Sequence, residues 1–153
     1  MFKSERKTIF SPNDLLTFLG CKYATLLDLK VSAGELEKPE ASEDAAIIQD
    51  AGLKHEKEFL ESLKEQGKEI TIIPSAGSLS ERAELTKKAM QSGAKVIYQA
   101  ALLSLPWHGY SDFLFRVETS SKLGSYSYMP LDTKLKKTAT ADHLIQLGIY
   151  ADL

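Results

Sequence analysis

The sequence predicts an α/β domain whose central sheet is mixed, largely antiparallel and flanked by helices. Three observations predict it. Helical periodicity governs residues 11–66, three β-rich runs at 96–103, 113–117 and 126–135 follow one another at hairpin spacing, and helical periodicity returns over 139–153. A chain of 153 residues is the size of one domain. We therefore expect a single unit over 1–153, with a helical part over 11–66 and the sheet over 70–153.

In Ser11-Pro12-Asn13-Asp14, a hydroxyl can accept a backbone N–H, a proline suits the first turn and a carboxylate favours the positive end of the helix dipole. Gly20 closes that helix, a second covers 22–29, and a polar loop containing Pro39 runs to about Ser42. Over 43–66, Ile48, Gly52, His55, Phe59 and Leu63 recur every three or four residues, so His55 is expected to point inward. Ile70-Thr71-Ile72-Ile73 reads as a short strand. Ser78 with Glu81 resembles a capping box, opening a helix that ends at Gly93. Pro106-Trp107-His108-Gly109 and residues 120–124 are expected as the connectors between the β-rich runs. The chain ends at Leu153 inside this apolar helix with no Gly or Pro stop signal there, which is the pattern of a fragment of a longer chain.

Composition excludes more than it selects. Apolar residues at 43% and charged residues at 26% are those of an ordinary folded domain, not a disordered one. Residues 35–69 hold 11 acids and 5 bases, a net of −6, so the rest of the chain carries +4 to reach the total of −2. Lys134, Lys136 and Lys137 lie in that basic remainder and can contribute to a phosphate-binding surface or form a solvated face. The single Cys21 makes no internal disulfide and is too few for an iron–sulfur cluster or a four-ligand zinc site. With no apolar run near the roughly 18 residues of a membrane span, the expected setting is cytoplasmic, without a membrane partner.

The chemistry centres on Asp132-Thr133-Lys134. In an extended strand Asp132 and Lys134 share a face. The carboxylate can hold Mg²⁺ or Mn²⁺ while the ammonium orients a water or offsets charge on a phosphate. The same acid-x-Lys pattern at Glu5 and Lys7, and at Asp28 and Lys30, shows how little the triplet means alone. Its context adds weight: a hairpin would bring Asp112, at the start of the preceding strand, beside Asp132, and two such carboxylates repel unless a cation lies between them. The competing reading makes Asp112 a turn residue. His55 is either a further ligand or a hydrogen-bonded core histidine; Glu58 is a weaker candidate on the same helix. His143, Gln146 and Tyr150 line one helical face just after the acid-x-Lys run and either support the site or form a polar rim beside buried Leu144 and Leu147. Trp107 is either a base-stacking ring or a core aromatic.

The order His55, Gly109-x-x-Asp112, Asp132-x-Lys134, Gln146-x-x-x-Tyr150 resembles the RecB-like branch of the PD-(D/E)XK nucleases, and the opening Ser11–Leu16 segment with Cys21 resembles the start of predicted RecB-like nucleases. The resemblance spans nearly the whole chain. It implies a restriction-endonuclease-like core, truncated at its C-terminus before a last strand, and metal-dependent phosphodiester hydrolysis in DNA or RNA. In that reading His55, Asp112, Asp132 and the Thr133 carbonyl hold Mg²⁺ or Mn²⁺, Lys134 assists catalysis, and Gln146 and Tyr150 support the site. Nucleic acid, most often DNA, is the implied partner, together with a helicase or second nuclease-like region elsewhere in a longer chain. Some relatives carry a four-cysteine iron–sulfur cluster; lone Cys21 predicts none here. The rival expectations are a catalytically inactive nucleic-acid-binding or interaction module on the same fold, and an unrelated ligand-binding α/β domain.

Overall fold

A computed structural model describes residues 1–4, 7–40, 43–136 and 138–153. Glu5, Ser42 and Lys137, named above, lie outside the described residues. The fold is mixed α/β, with five helices and a four-stranded mixed sheet among the described residues. A short hairpin of β1 (Phe2–Ser4) and β2 (Lys7–Ile9) leads into α1 (Pro12–Gly20), α2 (Lys22–Ser32) and the long α3 (Glu43–Glu65). Then come β3 (Ile70–Ile72), α4 (Leu79–Gln91), the hairpin of β4 (Val96–Ser104) and β5 (Trp107–Val117), β6 (Ser127–Leu131) and α5 (Ala141–Asp152). The sheet order is β3-β4-β5-β6; β3 runs parallel to β4 and the other pairs are antiparallel.

Local chemistry accounts for the helix starts. Asp14 accepts bonds from the Ser11 backbone N–H (2.7 Å) and hydroxyl (2.8 Å) at the head of α1. At α4, Ser78 and Glu81 exchange capping bonds as expected, and Gly93 beyond its end takes the left-handed φ of +76°. Replacing Ser78 by Ala should cost about 1 kcal/mol in a denaturant titration.

The β1–β2 hairpin was not expected, α2 runs three residues past the expected 22–29, and two boundaries around the site also differ from expectation. Only Leu105 and Pro106 connect β4 to β5, so Trp107, His108 and Gly109 are strand residues paired with Ser104, Leu103 and Leu102. Cross-strand pairing overrides the turn propensity of the local sequence. Asp112 consequently lies mid-strand. β6 is shorter than its β-rich run, and Asp132-Thr133-Lys134 follow its end.

The core forms on both faces of the sheet. On one, Leu60 and Leu63 of α3 pack on Val96 and Phe113, with Tyr98 and Phe115 alongside; on the other, Ala89 of α4 and Tyr150 of α5 pack on Ile97, Ala100, Leu102 and Leu114. Tyr98, Ala100 and Leu102 would share a face of a regular strand. Here Tyr98 joins the first cluster and the other two join the second, so the alternation of β4 slips by one at Gln99. The backbone shows how: Gln99 has φ of +59°, left-handed for a non-glycine residue, while the register continues past it from Tyr98↔Phe113 to Ala100↔Ser111. Such a conformation costs of order 1–3 kcal/mol. The residue facing Gln99 in that register is Asp112.

Candidate functional site

The hairpin of β5 and β6 does what the sequence reading required of it. Phe113 pairs with Leu131, and extending that register by one sets Asp112 opposite Asp132. The Asp112 backbone N–H donates to Asp132 Oδ1 (3.3 Å), and Asp112 Oδ2 accepts from both the backbone N–H (2.7 Å) and the hydroxyl (2.9 Å) of Thr133. The Asp132 side chain is 4% exposed, and its Oδ2 lies 3.2 Å from Lys134 Nζ. Asp132-x-Lys134 is thus formed as an ion pair although it lies past the strand end.

The surroundings oppose ionisation of Asp112. Burial, then the nearby Asp132 carboxylate, pushes its pKa up from 3.8 to about 6 against the two Thr133 donors, and Glu56 adds repulsion.

Glu56 was not among the expected residues. It is buried on α3, accepts a bond from Gln99 Nε2, and interacts with Tyr98, whose pKa is pushed up to about 12 by burial and by Glu56. The signal was present: Glu56, Leu60 and Leu63 sit at i, i+4 and i+7, a carboxylate aligned with an apolar stripe. His55, expected to point inward as a ligand, is exposed. Phe59 and Leu63 of the expected stripe do meet the sheet, but Glu56 and Leu60 are buried beside them while Ile48 and His55 are exposed, so the buried face of α3 is turned by less than one residue from the expected one. Glu58 is exposed too, in a loose pair with Lys54.

From the other side α5 closes on the site. Gln146 Nε2 donates to the buried Tyr150 hydroxyl at 2.8 Å. Burial raises the Tyr150 pKa to about 12, with contributions from Asp132 and Asp112. Tyr150 fits because position 109 is glycine: a Cβ there would lie 2.4 Å from its ring. Tyr150→Phe should remove the Gln146 bond and cost about 1 kcal/mol in thermal melts, leaving the ring in place. His143 serves elsewhere, its Nδ1 accepting from the Thr140 backbone N–H (3.3 Å) at the start of α5. Leu147 packs on the core as expected, whereas Leu144 is exposed. Trp107 packs on Phe10 with ring centroids 5.6 Å apart, and Lys136 is exposed.

Compared with family models, with curated proteins and with solved structures, the chain matches none. Among the described residues no three His, Cys, Asp or Glu side chains form a ready ligand cluster. What is assembled is a facing carboxylate pair with one ammonium, backed by a third carboxylate on α3. Oxygen donors of this kind fit a hard divalent cation, Mg²⁺ or Mn²⁺, far better than zinc. No helix among the described residues is long and apolar enough to cross a membrane.

Proposed function

We propose that the chain is a divalent-metal-dependent nuclease of the RecB-like, PD-(D/E)XK type, hydrolysing phosphodiester bonds at Asp112, Asp132 and Lys134. One observation carries the reading. Two carboxylates, Asp112 on β5 and Asp132 just past the end of β6, lie side by side in a partly buried position where burial first, and then the charge of Asp132, raises the Asp112 pKa to about 6. Such an arrangement is unfavourable by itself and becomes favourable with a cation between them.

Asp112 and Asp132 would hold Mg²⁺ or Mn²⁺, with the Thr133 carbonyl as a further oxygen donor. The bound ion would supply an activated water and charge neutralisation at the phosphate. Thr133 fixes the orientation of Asp112 through its two donors. Lys134, paired with Asp132, keeps an ammonium where negative charge grows on the phosphate oxygens. Glu56 takes the place expected of His55 as the α3 contribution, adding negative charge behind Asp112. Gln146 and Tyr150 hold α5 against β5 and keep bulk water from that side of the pair.

The test is cleavage of end-labelled single- and double-stranded DNA and RNA, with Mg²⁺, with Mn²⁺ and with EDTA. Metal-dependent cleavage that falls at least tenfold in Lys134→Ala is expected. Tight binding without cleavage under any metal condition would replace the hydrolase with the inactive nucleic-acid-binding module. Cleavage indifferent to both EDTA and Lys134→Ala would place the activity elsewhere.

A further inference from the structure

Arg82 on α4 reaches over β4 to Tyr110 on β5: its guanidinium carbon lies 4.8 Å from the centre of the Tyr110 ring. Its Nη2 donates to the carbonyl of Gln99 at 3.3 Å, the residue with the left-handed backbone whose side chain bonds Glu56. Nε is buried without a hydrogen-bond partner. A guanidinium has five N–H donors, so most of this one's capacity is unspent among the described residues. Tyr110 is 41% exposed, with the His108 ring at 5.7 Å and 76° to it. A large ring this exposed in a central strand is packed on one side by a cation and open on another.

Position gives the pair its meaning. Tyr110 and Asp112 are two residues apart on β5, hence about 7 Å along the strand, close to the spacing of successive phosphates in an extended single strand. Lys134 approaches the carboxylates from the end of β6, and Arg82 approaches from the β4 side. A polyanion drawn past Glu56, Asp112 and Asp132 needs cations along its path, and these two flank the central strand.

We propose that Arg82 and Tyr110 form the subsite for the nucleotide next to the scissile phosphate, with Tyr110 stacking an unpaired base and Arg82 contacting its phosphate. The substrate is accordingly single-stranded, since a base inside a duplex cannot reach the ring. This rests on the nuclease reading for the scissile phosphate, but binding can be measured apart from cleavage.

The measurement is fluorescence anisotropy of short labelled single-stranded DNA, single-stranded RNA and duplex DNA, on Asp132→Ala protein at several salt concentrations. Single strands should bind more tightly than duplex. Tyr110→Leu should weaken single-strand binding on the order of tenfold, and Tyr110→Trp should retain it. Arg82→Gln should weaken it and lower the slope of log affinity against log salt by about 0.7, the signature of one lost phosphate contact. Circular dichroism confirms folding, and the exposed Tyr110 keeps the test valid if Arg82→Gln fails to fold. Equal affinity of Tyr110→Leu and parent, a preference for duplex, or no binding overturns the subsite. If binding follows the expected pattern while the unsubstituted protein never cleaves, the hydrolytic reading fails and Arg82 with Tyr110 stands as a single-strand binding site without an adjacent scissile phosphate.

Discussion

For the proposed nuclease, replacing Asp132 by Asn should lower metal-dependent cleavage by about 10³-fold or more, the scale on which removal of one preorganised electrostatic group in a catalytic site is felt. The change is nearly isosteric, so the bond from the Asp112 N–H to position 132 can persist while the charge is lost. Lys134 loses its anionic partner as well. Asp112→Asn should be as damaging to cleavage but should have the opposite effect on the metal-free protein. Below about pH 4 this carboxyl is protonated in folded and unfolded chains alike; between 3.8 and about 6 the folded chain holds a proton that the unfolded chain releases, so stability falls as pH rises through that window. Above pH 6 the ionised group destabilises the metal-free fold by roughly 2 kcal/mol once partial solvent screening is allowed for. Asp112→Asn removes that penalty and should raise the midpoint of thermal unfolding at pH 8 in EDTA by roughly 5 °C. The unsubstituted protein should recover the difference on addition of Mn²⁺, and the amide variant should not. A lower midpoint for Asp112→Asn in EDTA would mean that the Thr133 bonds outweigh the repulsion.

Replacing Gly109 by Ala is the second large effect, expected at about 3 kcal/mol of lost stability in urea unfolding. The added Cβ would meet Cε1 and Cδ1 of Tyr150 at 2.4 and 2.6 Å, and Leu153 lies at 3.5 Å. Tyr150 is buried, and Gly109 is mid-sheet, paired with Leu102, so neither can yield without disturbing the core. The helix as a whole must move, carrying Gln146 away and opening the site. Cleavage should therefore fall along with stability. Gly109→Ala,Tyr150→Leu should regain a large part of the stability, because the smaller side chain vacates the space of the ring; an additive double variant would argue against this contact as the cause.

Much of this architecture was legible because short-range rules agree with the tertiary packing. The capping residues of α4, the strand at β4 and the closing helix α5 all carry local signals that nothing in the fold contradicts. The pairing of Asp112 with Asp132 was legible for the same reason, since two consecutive β-rich runs at hairpin spacing have few ways to pair. Where the reading missed, tertiary contact outweighed local preference. Residues 107–109 look like a turn and are held as strand by their partners on β4. His55 and Glu56 are adjacent on a helix with apolar residues on more than one side, and only the docking of Leu60 and Leu63 decides which faces the sheet.

The sequence by itself determined the order of helices and strands from α1 onward, the adjacency of the two aspartates and the lysine two residues after the second, because each depends on periodicity and spacing along the chain. The tertiary structure alone decided the rotation of α3 that turns Glu56 inward, the left-handed backbone of Gln99, and the reach of Arg82 over Tyr110. Those features follow from how distant surfaces fit together, and contacts between residues far apart in sequence leave no period in the chain to be read.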